Sequence, residues 1–144
     1  MIIGLIGLGE MGSEIGRYLV MNDLEVISVY EGRSEISKKR ASKYKIRDAG
    51  SIEQFCKISD LVISIIPPDK AVETANLYTS FKNKDGQIYC DLNAISTITA
   101  KKIKLLLDEK KLITLMALLW EGLQQKIIHQ EFIYLENYQK NLIF

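Results

Sequence analysis

Ile2-Ile3-Gly4-Leu5-Ile6-Gly7-Leu8-Gly9-Glu10-Met11-Gly12 is the stretch whose reading decides the fold. Its first half is a short apolar run bounded by glycines, the composition of a strand buried on both faces of a parallel sheet. From there the apolar residues fall at Met11, Ile15, Leu19 and Val20, a helical spacing with one face turned to a sheet. Between strand and helix lies Gly-x-Gly-x-x-Gly. In such a turn the first glycine permits the tight reversal, the second lets backbone approach a pyrophosphate, and the third allows close helix–strand contact. The helix N-terminus then offers free N–H groups and a positive dipole end to the phosphates. The six residues alone are a weak signal, and the flanking strand and helix supply the context that gives them meaning. Gly7, Leu8, Gly9, Glu10, Met11 and Gly12 are therefore the expected dinucleotide contacts. Gly16, one turn later, lets the helix stay close to the sheet.

Downstream, strands alternate with helices. A turn at Asn22-Asp23 leads to a second strand over 25–30, and Ser34 can cap a helix to about Tyr44. A weak third strand falls near 45–47, and Ser51 caps a short helix through Lys57. The clearest central strand is 61–66, ended by Pro67-Pro68. A helix over 70–78, a strand over 87–91, and a helix capped by Ser96 or Thr97 and running to about Lys110 complete the pattern. This alternation predicts an α/β fold, a Rossmann-type doubly wound parallel sheet with helices on both faces, over residues 1–111. Residues 112–144 read differently. Positions 112–120 are apolar without turn punctuation, and 130–144 are aromatic-rich with no Gly or Pro. The expectation there is an added edge strand over 112–118 and a helix over 120–129, with an apolar surface suited to self-association.

Bulk composition narrows the function classes. At 144 residues, 47% hydrophobic and 26% charged, the chain has the balance of one soluble domain with a real core. A net charge of +1 points to neither nucleic acid nor an anionic membrane. No apolar run reaches membrane-spanning length, and the N-terminus lacks the basic region of a signal peptide. Cys56 and Cys90 form no CxxC pair and read as buried thiols of a reducing compartment. A cytoplasmic location is expected.

The second strand ends at Tyr30-Glu31, about 20 residues beyond the glycine turn, where an acidic residue holds the ribose 2′-hydroxyl of NAD. Arg33 and Ser34 follow at once, and a guanidinium with a hydroxyl suits the 2′-phosphate of NADP. NADP is the expected cofactor, and Glu31 keeps NAD open. Lys38, Lys39 and Arg40 read as a solvated helix face.

Residues 3–12 closely resemble the opening of the β-hydroxyacid dehydrogenases, the group containing 3-hydroxyisobutyrate and 6-phosphogluconate dehydrogenases. Ile65-Ile66-Pro67-Pro68 is similar to the strand end near the cofactor in those enzymes, so Ile66, Pro67 and Pro68 join the expected cofactor contacts. Asp91-Leu92-Asn93-Ala94-Ile95-Ser96 sits where the family carries a substrate-binding segment, usually Asp-x-Ser-Thr. This version, like the loop 31–34, looks like the threonate-dehydrogenase-like branch. The resemblance covers residues 1 to about 110. It implies NAD(P)-dependent oxidation of a small 3-hydroxy acid, with Asn93, Ala94 and Ser96 on the substrate side. Local readings stand beside these roles: Asn93 as a turn residue after the strand and Ser96 as a helix cap.

The family's general acid/base is a lysine on a second, helical domain. No lysine here takes that role by motif. Lys101, Lys102 and Lys104 read as a solvated helix face, and His129 has no partner at a recognisable spacing. No catalytic residue and no metal site is assigned, and a stand-alone dinucleotide sensor or interaction module without catalysis is the alternative reading. Where the family carries a loop of the type Val-Asp-Gly-Ala-Ile-Met-Gly-Gly, this chain has Thr114-Leu115-Met116-Ala117-Leu118-Leu119-Trp120-Glu121-Gly122. Read one base earlier, Met116-Ala117 and Trp120-Glu121 each force a glycine, and the other codons are compatible with the family loop. This predicts an out-of-frame segment arising from a frameshift near residues 108–114. Reading the gene decides it, because an alternate frame with no dehydrogenase-like continuation would rule it out.

Overall fold

The computed structural model describes residues 1–116. The elements run β1 (Ile2–Ile6), α1 (Glu10–Met21), β2 (Glu25–Ser28), α2 (Glu35–Lys43), β3 (Arg47–Asp48), α3 (Ile52–Ile58), β4 (Leu61–Ser64), a 3-10 turn (Pro68–Lys70), α4 (Ala71–Thr79), β5 (Ile88–Asp91), α5 (Thr97–Asp108) and β6 (Ile113–Met116). The six strands form one sheet in the order β3-β2-β1-β4-β5-β6. Every pairing is parallel. This is the strand order of the dinucleotide-binding doubly wound sheet.

Two cores explain why both sheet faces are covered. Ile3 and Leu5 of β1 point to one face, where they meet Ile15 and Leu19 of α1 and Ala41 of α2. Ile6, on the alternate parity, points to the other, with Phe55 and Cys56 of α3, Ala75 and Tyr78 of α4, and Ile103 and Leu107 of α5. Side chains alternate across a strand, so an unbroken apolar run feeds both cores at once. Cys56 lies in one core and Cys90 packs against the other, so the sheet separates the two thiols. Burial pushes the Cys56 thiol up to about 12.

The expected caps are formed. The Ser34, Ser51 and Ser96 hydroxyls accept from the backbone N–H of Ser37, Gln54 and Thr99, at 3.2, 3.1 and 3.2 Å. α1 ends at Met21, before the expected turn at Asn22-Asp23, whereas α2 and α5 stop one or two residues short of expectation, and all three ends share one device. Asp23, Lys45 and Lys111 adopt left-handed φ of 60°, 59° and 57°. The next residue of each then donates back into the helix, as Ile46 N–H does to the Ala41 carbonyl and Leu112 N–H to the Leu107 carbonyl, at 3.0 and 3.1 Å. This reversal closes orphan carbonyls and aims the chain into the following strand. It ends α5 at Asp108 rather than near Lys110 and delays β3 to Arg47. The edge strand expected over 112–118 is present as Ile113–Met116, paired with β5. The remainder of the expected tail, including the helix over 120–129 and the self-association surface, lies outside the described residues.

Gln87, just before β5, is 1% exposed. Its amide donates to the Cys56 and Ser59 carbonyls at 2.9 and 2.6 Å, and its oxygen accepts from the Tyr78 hydroxyl. One buried side chain thus satisfies carbonyls at the end of α3 and the phenol of α4.

Candidate functional site

Ligands of open parallel sheets bind outside the carboxyl ends of the strands, where the strand order reverses. Here the chain moves outward from β1 through β2 to β3 and then returns to β4 on the other side of β1. The loops after β1, β2 and β4 therefore converge on one edge.

The three glycines after β1 are held there by different causes. Gly7 has φ +109°, and a Cβ on it would stand 2.0 Å from the Ile65 carbonyl oxygen. A Cβ on Gly12 would stand 2.1 Å from the Gly7 carbonyl oxygen. Both contacts are with backbone, so the chain itself demands glycine at these places. At Gly16 a Cβ would press on Ile46 and Leu5 side chains. Gly9 is different. Its φ is −64°, open to any residue, and nothing in the protein lies within 4 Å of its missing Cβ. It is the N-cap of α1 and supplies no side-chain cap to the first-turn N–H groups. An uncapped helix start behind an exposed glycine is a ready anion cradle, so these residues fit a dinucleotide pyrophosphate. Gly9, Glu10 and Met11 are exposed, whereas Gly12 is buried. Leu8 is 2% exposed and its side chain belongs to the core, so it can offer only backbone.

A cleft of about 460 Å³ has Ile6, the residue before this turn, in its lining, while Gly7, Leu8, Gly9, Glu10, Met11 and Gly12 are not part of that lining. Its walls include Leu5 and Ile6 of β1, Val29 after β2, Phe55 of α3, and Thr74 and Leu77 of α4. Of the other residues expected to meet the cofactor, Arg33, Ile66 and Pro67 line the cleft, while Glu31, Ser34 and Pro68 are not part of its lining. Glu31 and Arg33 are both exposed, on a turn closed by the Arg33 N–H to the Tyr30 carbonyl at 3.1 Å. Lys70 and Glu73 also line the cleft. The sequence reading missed them, although they follow the carboxyl end of β4 directly, where the crevice rule directs attention.

Asn93 is 3% exposed, and its polar atoms are committed inward. Its Oδ1 accepts from the Ile66 N–H at 2.7 Å, its Nδ2 donates to Ser64 Oγ at 3.2 Å, and its own N–H donates to Asp91 Oδ1 at 2.8 Å. The side chain thus ties the end of β5 to the loop after β4, a duty that neither the turn reading nor the substrate reading described. Ala94 and Ser96 are exposed at the same edge. Burial raises the Asp91 carboxyl above its ordinary value, against the lowering effect of the Asn93 N–H. Asp91 Oδ2 is buried and accepts no hydrogen bond among the described residues. No cluster of three or more His, Cys, Asp or Glu that could hold a metal occurs among the described residues, and none of their helices is long and apolar enough to cross a membrane.

Residues 2–117 match the NAD binding domain of 6-phosphogluconate dehydrogenase. The chain belongs to that family. A relative in Methanothermus fervidus, an uncharacterized 28.5 kDa protein, is 34% identical over 113 residues, covering 78% of this chain and 43% of the relative. The chain therefore spans less than half the length of that curated relative. Among solved structures, 3-hydroxyisobutyrate dehydrogenase of Mycobacterium tuberculosis superposes with TM-score 0.72 at 20% identity, over 85% of this chain and 42% of that one. A conserved protein of unknown function, described as similar to 3-hydroxyacid dehydrogenases, superposes with TM-score 0.67 at 21% identity, over 81% of this chain and 57% of that one. At such identities the structural likeness speaks for the fold, and the family match for an NAD-binding domain.

Proposed function

We propose that this chain is the nucleotide-binding part of an oxidoreductase of β-hydroxyacid dehydrogenase type, that its preferred cofactor is NADP, and that NAD is the lesser alternative. The observation that carries the cofactor preference is that Arg33 lines the cleft and Glu31 does not. Gly9 and the start of α1 hold the pyrophosphate through backbone N–H groups, and Ile66 and Pro67 form the wall beside the cleft. The bound nicotinamide supplies hydride acceptance. The chain's own residues bind and orient. The substrate class is a small 3-hydroxy acid, met by Ala94 and Ser96 at the exposed edge, with Asn93 setting their position from behind. The acid–base group is assigned to none of the described residues, so turnover depends on a group beyond them.

Calorimetric titration of the full chain with NADPH and NADH tests this reading. NADPH should bind about tenfold or more tightly than NADH, and Arg33→Ala should narrow the difference several-fold. Binding of neither nucleotide by folded protein would overturn the reading, and a preference for NADH would overturn the NADP assignment. Supplying a helical dehydrogenase domain in trans and assaying small hydroxy acids tests the substrate class, which an inactive reconstituted pair would refute.

A further inference from the structure

The cleft brings together two cations that lie far apart in sequence. Arg33 stands in the loop after β2, and Lys70 closes the 3-10 turn after β4. Strands β2 and β4 flank β1 on either side, so the two side chains reach one cleft from opposite sides of the central strand. Much of the remaining lining is apolar, including Leu5, Ile6, Val29 and Pro67. A flat heterocycle with an anionic substituent matches such a lining.

Among the described residues Lys70 has one ion-pair partner, the carboxylate of Glu73 in the first turn of α4, at 3.0 Å. Both side chains are more than half exposed, at 59% and 73%. Such a surface pair holds its members weakly, and a phosphate near its second ionisation offers more charge and more acceptor oxygens than one carboxylate. Lys70 can therefore leave Glu73 for a phosphate without unsettling the fold. Its ordinary fate, a solvated ion pair, does not account for its place in the cleft wall with Arg33.

We infer that Lys70 is a specificity-determining residue of this site, which together with Arg33 reads the 2′-phosphate of NADP. Glu73 holds Lys70 at the cleft in the absence of nucleotide and opposes the same phosphate. The inference rests on the reading of the cleft as a nucleotide site and adds to it the residue that Arg33 works with.

The experiment measures binding of 2′,5′-ADP and 5′-AMP, and of NADPH and NADH, to the full chain, to Lys70→Met and to Glu73→Gln. These nucleotides differ only in the phosphate under test or in the nicotinamide half. Lys70→Met should weaken 2′,5′-ADP and NADPH roughly five- to tenfold and leave 5′-AMP and NADH within about twofold. Glu73→Gln should tighten 2′,5′-ADP about twofold or more without changing 5′-AMP. Both positions are exposed, so circular dichroism should report unchanged folding. If the parent chain binds NADPH and Lys70→Met binds it equally well, this inference fails and the nucleotide site stands. If Lys70→Met weakens 5′-AMP as much as 2′,5′-ADP, Lys70 does not read the phosphate and the inference also fails. If the parent chain binds none of the four, both the inference and the proposed function fall.

Discussion

Gly9→Ala and Gly12→Ala add the same methyl group three residues apart and should do opposite things. At Gly12 the new Cβ would sit 2.1 Å from the Gly7 carbonyl oxygen. Backbone must move to relieve that overlap, which is overpacking of the kind that costs about 1–3 kcal/mol, with the upper end expected because no flexible side chain can yield. At roughly 4 °C per kcal/mol for a domain of this size, the melting temperature should fall by about 8–12 °C. At Gly9 the new Cβ meets nothing within 4 Å, and the φ of −64° suits alanine. Alanine is a poorer N-cap than glycine, by roughly 0.5–1 kcal/mol. Restricting the unfolded chain returns about 0.4–1 kcal/mol. The net change should lie within about 0.5 kcal/mol, about 2 °C in melting temperature. The methyl group nevertheless stands where the pyrophosphate must come close to backbone, so nucleotide affinity should fall at least about tenfold. Thermal denaturation by circular dichroism and calorimetric titration with NADPH, on both variants, read the two effects separately. A Gly9→Ala protein that binds NADPH like the parent, or one destabilised as much as Gly12→Ala, would refute the argument that Gly9 is kept open for a ligand and Gly12 for the chain.

Asn93→Ala removes the acceptor for the Ile66 N–H and the donor to Ser64, leaving a part-buried N–H without its partner. Stability should drop by about 1–2 kcal/mol, with weaker NADPH binding as the Ile66–Pro67 wall loosens. A loss in denaturant unfolding below about 0.5 kcal/mol would show the latch to be idle. Burial raises the Asp91 carboxyl, so the folded state holds this proton more tightly than the unfolded chain. Its contribution to stability is complete below the ordinary aspartate value of 3.8 and is lost as pH rises from there through the elevated folded value. Asp91→Asn should remove that loss, so the stability difference between variant and parent grows with pH across this window. A difference that stays constant with pH in urea melts contradicts the assignment.

Local chemistry was legible in the sequence wherever the deciding atoms are near neighbours along the chain. Ser34, Ser51 and Ser96 cap helices through N–H groups three residues on, and that reach is visible as spacing. The glycine turn was legible for the same reason, as were the alternation of elements and the parallel sheet it implies. The shift of β3 to Arg47 was not, because it depends on a left-handed lysine at position 45, a conformation with no marker comparable to glycine. Asn93 was open between two roles because its principal partner, Ile66, is 27 residues away. Parallel pairing of Ser64 with Asp91 is what brings them together.

By itself the sequence determined a strand, a glycine turn and a helix start that can cradle a pyrophosphate, because those properties follow from backbone freedom and from periodicity within a dozen residues. Only the tertiary structure decided which glycine serves the chain and which is left open. It also turned Asn93 inward and placed Arg33 and Lys70 in one cleft. Those outcomes depend on strand order and register, which are set by how two apolar cores close over both faces of the sheet rather than by any local run of residues.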